Sequence, residues 1–446
     1  MSDYQPQSQS VLPRGRARTL PQALAYKWQQ ITPRTVEDRN ILYVTLDGIA
    51  LGFTMAASTF LSVFVIRLGA SAFWVSLLTS LPALVNLFLA MPMARFLERQ
   101  RQIVPIFAWS RLLAHSAYVI TGLVPFFLQG RIAGEAIVIV WGLVAVLASL
   151  ANLGFTLVMG RAVSRERRAV QMSSRWVAMG LSKMIVVALA GQVLARLPFP
   201  LNYQVVFIAS YSADLLAFCF ISRVHNPEQE PVPRRESVQE PIAARIRAGI
   251  AEVLQARSFV TFSLARNVFV FGIDMIAPLI PIYWVQNLGA SDAQVSYFNT
   301  AITAATLVGY GFWVRVKRRR GNRVVLLAAV FGRSLYPLLI ALTRSPLAMI
   351  AVAAFNGLAF AGENLMFFDA FLDTVPRGRE ARFVAINQTL ANAIAFVAPP
   401  LGAALLPALG IQRVLMLAAV IALAGFSLFF AGGIARESLP SPTAIV

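Results

Sequence analysis

Twelve apolar stretches, each about twenty residues or longer, divide this sequence, and they constrain its fold more than any other feature. They cover 41–66, 72–94, 103–128, 135–160, 174–196, 201–221, 260–286, 293–314, 323–343, 346–371, 382–406 and 411–434. About 20 mostly apolar residues in a helix cross the ~30 Å hydrocarbon layer of a bilayer. In lipid a segment must satisfy its own backbone polar groups, so each stretch reads as a helix. Composition agrees: 58% of the 446 residues are hydrophobic and only 13% are charged, against about 25% charged in a soluble domain. The expected fold is therefore all-α, with twelve transmembrane helices in a lipid bilayer.

The formal charge of +19 does not point to nucleic acid, because the basic residues sit in short segments between apolar runs. With both ends on one side, the segments on that side hold 30 Lys and Arg residues. The other side holds 5: Arg67, Arg131, Arg196, Arg344 and Arg413. Cytoplasmic segments are enriched in Lys and Arg, which places both termini in the cytoplasm. Short, Arg-rich loops favour a bacterial inner membrane. The expected organisation is a tail (1–40), a six-helix bundle (41–221), a linker (222–259), a second bundle (260–434) and a tail (435–446). Within the linker, Ile242, Ile246, Ile250 and Val253 recur at helical steps, as in an amphipathic helix lying on the membrane surface. The first apolar run begins only near Ile41, after a polar and basic stretch, so no cleaved leader is expected. Cys219, His115 and His225 have no metal-ligand spacing, and neither metal nor cofactor is expected.

The two halves repeat each other. Leu68, Gly69, Ala70 and Ser71 follow the first span, and Leu288, Gly289, Ala290 and Ser291 follow the seventh. Gly52 and Gly272 match at the same offset. After the fourth span Val163, Arg165, Arg167 and Ala169 find counterparts in Val375, Arg377, Arg379 and Ala381 after the tenth. Asn152 and Leu153 likewise match Asn364 and Leu365. Two six-span repeats that start on the same side are related by an axis along the membrane normal, with a binding site between them near the midplane.

Topology, repeat and two loops together resemble the major facilitator superfamily, twelve-span type, from about Ile41 to Ile434. Members carry a Gly-x-x-x-Asp-Arg-x-Gly-Arg-Arg-like loop after the second span and a weaker copy after the eighth. Here the first runs from Met93 through Arg95, Glu98 and Arg99 to Arg101. The second runs from Gly311 through Arg315, Lys317, Arg320 and Gly321 to Arg323. Basic character is kept, whereas the loop glycines and the Asp are largely lost. The resemblance implies two pseudo-symmetric six-helix bundles working by alternating access. It also implies that spans 1, 4, 7 and 10 line the central cavity and spans 3, 6, 9 and 12 lie outside. The glycine/proline pattern of many family exporters is missing from the fifth span around Gly180 and Lys183.

Ionisable residues inside spans are costly, about 2.5 kcal/mol or more each, so each invites a functional reading. Asp47, Thr54 and Ser58 share a face of span 1; Asn267 and Asp274 share one of span 7. By the repeat, Asp47 is the mate of Asn267 and Thr54 the mate of Asp274. Span 10 shows a stripe of Asn356, Phe360, Glu363, Asn364 and Phe367, answered in span 4 by Trp141 and Asn152. Asp47, Asp274 and Glu363 are thus the expected substrate- or proton-coupling residues in a cavity lined by amides and aromatics. Asp274 falls mid-span, the poorly hydrated setting that suits proton exchange; pairing with Arg266 or Lys183 is the structural alternative. Pro278 and Pro281 should weaken the helix beyond it. Arg111 and Asp214 are expected to form a structural ion pair, with His115 a packing residue.

The expected function is proton-coupled export of small amphipathic compounds by a monomeric antiporter. Uptake of a sugar, organic acid or other metabolite is the alternative. An intramembrane prenyl or phosphoalcohol transferase could use Asp369 and Asp373 for Mg²⁺–diphosphate, but no second acidic cluster accompanies them, so no enzyme is expected. A non-transporting sensor in a transporter fold is the remaining reading.

Overall fold

The computed structural model describes residues 35–226, 255–376 and 379–433. The linker helix expected around Ile242 and Val253, the C-terminal tail and most of the N-terminal one lie outside the described residues. Six helices form the first half: α1 (Val36–Arg67), α2 (Ala72–Glu98), α3 (Ile103–Phe127), α4 (Gly130–Ala162), α5 (Arg165–Arg196) and α6 (Leu201–Ile221). The second half opens with α7 (Arg257–Asn287). A single helical run, Asp292–Leu342, follows. Its 51 residues would reach about 77 Å at 1.5 Å per residue, more than two bilayer cores. It is broken at Gly321, where φ is +80°, into α8 (292–320) and α9 (322–342). Then come α10 (Pro346–Thr374), α11 (Glu380–Leu409) and α12 (Ile411–Ala431). No strand occurs among the described residues.

Local sequence accounts for the boundaries. Thr35 caps α1, accepting from the Asp38 amide while the Asp38 carboxylate accepts from Thr35 N–H. At the other end of α1 the Leu-Gly-Ala-Ser turn closes the helix. Gly69 takes φ +91°, and the Gly69 and Ala70 amides donate back to the Ile66 and Val65 carbonyls, a Schellman closure. Ser71 then starts α2. In the second copy Gly289 has φ +60°, and Ser291 caps α8 reciprocally with Gln294. That turn is wider, because α7 ends in a π turn, Tyr283–Asn287. The regular helix of α7 stops at Ile276, just before Pro278. A proline there supplies no amide to the helix ladder, as the sequence expected.

An even number of spans puts residues 35 and 433 on one face of the bundle, called here the near face. The 68–71 and 288–291 turns lie on the far face. The halves meet through α2 against α11 and α5 against α8, a pairing that a two-fold exchange of the halves maps onto itself. Near the far face, α5 and α8 touch closely. Gly191 leaves room for Ser296, whose hydroxyl donates to the Val187 carbonyl at 2.7 Å. Toward the near face the same helices splay apart, and a cavity of about 780 Å³ separates Ser173–Lys183 positions of α5 from Ile302–Tyr310 positions of α8.

The buried cores show the same asymmetry. One core joins both halves on the far side, bringing Phe60, Phe64 and Tyr203 together with Tyr283, Phe298 and Tyr336. On the near side there are two cores, one per half. Val44, Leu97, Ile103 and Val158 belong to the first, and Phe259, Phe262, Val325 and Phe383 to the second. The bundle is therefore closed at the far face and parted at the near face. Large apolar side chains such as Phe88, Leu143, Leu189 and Val420 remain exposed, surface that suits lipid and would drive association in water.

Candidate central cleft

Among the described residues, two cavities lie between the halves and one adjoins them within the first half. Besides the 780 Å³ one, a cavity of about 540 Å³ lies against α1, α3, α4 and α5 and shares Trp176 and Met179 with it. A third, of about 310 Å³, holds Asp274, Arg333 and Asn356 and shares Ile302 with the first. The far-side core lies beyond this third cavity, so the cleft opens toward the near face.

In the first half, Asp47 is fully buried between two arginines. Arg111 Nη1 lies 2.6 Å from Asp47 Oδ1, and Arg175 Nη2 donates to Asp47 Oδ2 at 3.0 Å. Two cations thus offset one carboxylate. The second carboxylate is Asp214, also fully buried, 2.9 Å from His115 Nδ1 and 4.0 Å from Arg111 Nε. The Arg175 guanidinium also lies 4.4 Å from the centre of the Phe155 ring. In the second half, Arg333 from α9 carries the corresponding load. Its Nε is 3.1 Å from Glu363 Oε2, its Nη1 donates to Asn356 Oδ1 at 2.6 Å, and it sits over the Phe360 ring.

These placements change several expectations. Asp47 was expected to face the cavity; it is sealed among helices α1, α3 and α5, because two buried guanidinium groups need its charge. Thr54 is fully buried too, donating to the Ser210 carbonyl on α6. Trp141 turns away from the cleft and donates to Thr121 Oγ1 at 3.0 Å. Phe367 packs against Phe269 and Phe429 in the near-side core of the second half. Asn267 accepts from Arg266, and Asn364 is exposed outside the three cavities. The Arg111–Asp214 pair sits at 4.0 Å, since Arg111 is drawn to the nearer Asp47 and Asp214 to His115. Glu363 is buried and paired. The cleft does collect Ser58 and Asn152, Asp274 and Asn356, and Phe360.

Asp274 differs from the other carboxylates. It lines the 310 Å³ cavity, and among the described residues no cation comes within 4.0 Å of it. Neither Arg266 nor Lys183 serves as its ion-pair partner. Asp369 is held by Lys317 rather than left open beside Asp373, and no cluster of metal-binding side chains occurs among the described residues.

Sequence reasoning passed over Arg175 and Arg67 by counting them as loop charges. The signal for Arg175 was its register: Arg175, Met179 and Lys183 recur every four residues on one face of α5. Arg67 crosses between the halves. Its Nε is 2.7 Å from Asp292 Oδ1 and its Nη2 donates to the Ala290 carbonyl at 3.0 Å, while Tyr203 Oη donates to Asp292 at 2.6 Å.

Comparison with known proteins gives the fold its context. The Major Facilitator Superfamily profile matches residues 262–444. Among solved structures, a bacterial homologue of the human lysosomal transporter Spinster in an inward-facing, unoccupied conformation aligns with TM-score 0.66 at 12% identity, covering 89% of this chain and 97% of the other. A mutant of the nucleoside transporter NupG aligns with TM-score 0.64 at 10% identity (89% and 99% covered). A D-xylose-proton symporter aligns with TM-score 0.64 at 14% identity (88% and 97% covered). At such identities the likeness is one of fold. No curated protein sequence matches the chain.

Proposed function

We propose that this chain, a Major Facilitator Superfamily protein by its profile match and its fold, is a proton-coupled secondary transporter that works by alternating access through the central cleft. One observation carries this reading: the halves share a core on the far side but part on the near side. A binding cleft is thereby left open to one face alone. Rocking the halves about that seam would close the near face and open the far one. The basic residues at the near-face turns, among them Arg95, Arg99, Arg101, Arg318, Arg319 and Arg320, support a cytoplasmic near face.

Asp274 is the residue we assign to proton coupling. It lines a cavity and has no ion-pair partner within 4.0 Å among the described residues, so it can gain and lose a proton without breaking an ion pair. Asp47 and Glu363 lack that freedom, each being tied to arginine. Apolar walls that include Phe155, Trp176 and Met179 suit a small amphipathic compound loaded from the near side, which we take to leave as protons enter. Flux of such a compound in proteoliposomes under an imposed pH gradient tests the assignment. Asp274→Asn should abolish pH-driven flux and leave downhill exchange. Unchanged pH-driven flux in that variant would end the coupling role.

A further inference from the structure

We propose that the ligand carried by the cleft is an organic monoanion with an aromatic or otherwise apolar body, its charged head held by Lys183. The proposal rests on the cleft being the transport site. Away from the helix ends, the described residues place five cations inside the bundle: Arg111, Arg175, Lys183, Arg266 and Arg333. Four carboxylates answer them: Asp47, Asp214, Asp274 and Glu363. Arg111 and Arg175 match Asp47 and Asp214 in number within the first half, where His115 also meets Asp214. Arg266 and Arg333 balance Asp274 and Glu363 within the second. Lys183 is left over.

Its position gives that surplus a meaning. Lys183 lines the 780 Å³ cavity between α5, α8 and α10, and no carboxylate lies within 4.0 Å of it among the described residues. Tyr310 is the other ionisable residue lining that cavity. Lys183 is half-buried in the cleft, and an ammonium that loses water as a ligand packs over it needs a counter-charge, so a ligand that brings one negative charge is favoured there over a neutral or cationic one. Trp176, Met179, Leu307 and Phe360 supply apolar and aromatic wall around it, which a small inorganic anion would leave unfilled. The neighbouring 540 Å³ cavity is lined by Arg111 and Arg175 and has no carboxylate among its lining residues. Among the described residues that line these three cavities, Asp274 is the one carboxylate a cation would find, and it shares its cavity with Arg333.

Three probes with one body and different charge test this on the detergent-purified full-length protein: naphthoate, naphthamide and naphthylmethylammonium. Naphthoate should raise the thermal unfolding midpoint most and the ammonium least. Lys183→Met should weaken naphthoate about tenfold and remove its advantage over the amide, while Lys183→Arg keeps most of it. Lys183→Met strands no carboxylate, so its midpoint without probe should match wild type; Lys183→Gln serves as a second neutral variant should Met disturb packing. Failure of naphthoate to stabilise, equal stabilisation by the ammonium, or a naphthoate preference that survives both neutral substitutions would overturn the proposal. Proteoliposome flux separates this from the transport reading. Naphthoate binding without naphthoate flux would sink transport and keep the anion site; ammonium flux without any naphthoate preference would do the reverse.

Discussion

Asp292→Asn should open the far face. Arg67–Asp292 is an ion pair that joins the two halves, and Tyr203 adds a hydrogen bond to the same carboxylate. Charge-assisted hydrogen bonds inside a protein contribute about 1.5–3 kcal/mol each, whereas exposed ion pairs contribute about 0.2–1 kcal/mol. This latch lies between those limits, because the Arg67 side chain is 27% exposed and that of Asp292 12%. We take about 2 kcal/mol for the whole latch, so its loss should raise the far-open population about 30-fold. Tyr203→Phe removes one bond of the three, about 1 kcal/mol, and should raise it about fivefold. The assay is thiol labelling. After Cys219→Ser, a cysteine placed at Ser62, which lines the cavity beneath the far-side core, is exposed to a membrane-impermeant maleimide from the far face. Its labelling rate should follow the far-open population. A rate unmoved by Asp292→Asn, or one raised more by Tyr203→Phe than by Asp292→Asn, would refute the latch.

Three further outcomes follow from the buried charges and from helix contact. Asp47→Asn leaves Arg111 and Arg175 facing each other without their shared anion, and should cost about 3–5 kcal/mol, read as a lower thermal midpoint; combining it with Arg175→Met should recover part of the loss. Gly272→Ala drives a methyl to 2.7 Å from the Ala418 carbonyl and 2.8 Å from the Ala422 amide, which should cost about 1–3 kcal/mol of overpacking. Gly160→Ala, with open space at that position, should be neutral or stabilising by up to about 1 kcal/mol through helix propensity.

The spans were legible because lipid imposes one simple rule on every residue of a helix, and windows of twenty residues average out local noise. The paired Leu-Gly-Ala-Ser turns were legible for a similar reason: a glycine at positive φ followed by a serine cap is local chemistry. The cleft was harder to read. A helical wheel places Asp47 and Ser58 on one face, but whether that face meets water or an arginine depends on neighbours distant in the chain. Arg111 and Arg175 reach Asp47 from 64 and 128 residues away, and neither distance leaves a mark in local periodicity. Asp274 was picked out by its depth in the span, a property that does survive from sequence to structure. Lys183 was seen as a partner for a carboxylate, and only the packed helices reveal that no carboxylate reaches it.

The arrangement of these charges bears on how readily the halves can rock. Breaking a buried ion pair by taking one partner away costs about 3–5 kcal/mol, and several such losses in series would make alternating access prohibitively slow. Among the described residues, the ion pairs deep in the bundle each lie within one half. Asp47, Arg111, Arg175, Asp214 and His115 move together, as do Arg333, Asn356 and Glu363. Contacts that do cross the seam include the Arg67–Asp292–Tyr203 latch near water at the far face, and neutral contacts such as Ser296 to Val187 and Ser80 to Ala395. Neutral hydrogen bonds contribute about 0.5–1.5 kcal/mol each and can be exchanged for bonds to water as a cleft opens. The strong electrostatics therefore stiffen each half as a rigid body, and the weak ones mark the plane along which the two bodies part. Lys183 and Asp274 stand at that plane without ion pairs, so their charges are free to respond to a ligand or a proton without unlocking either half.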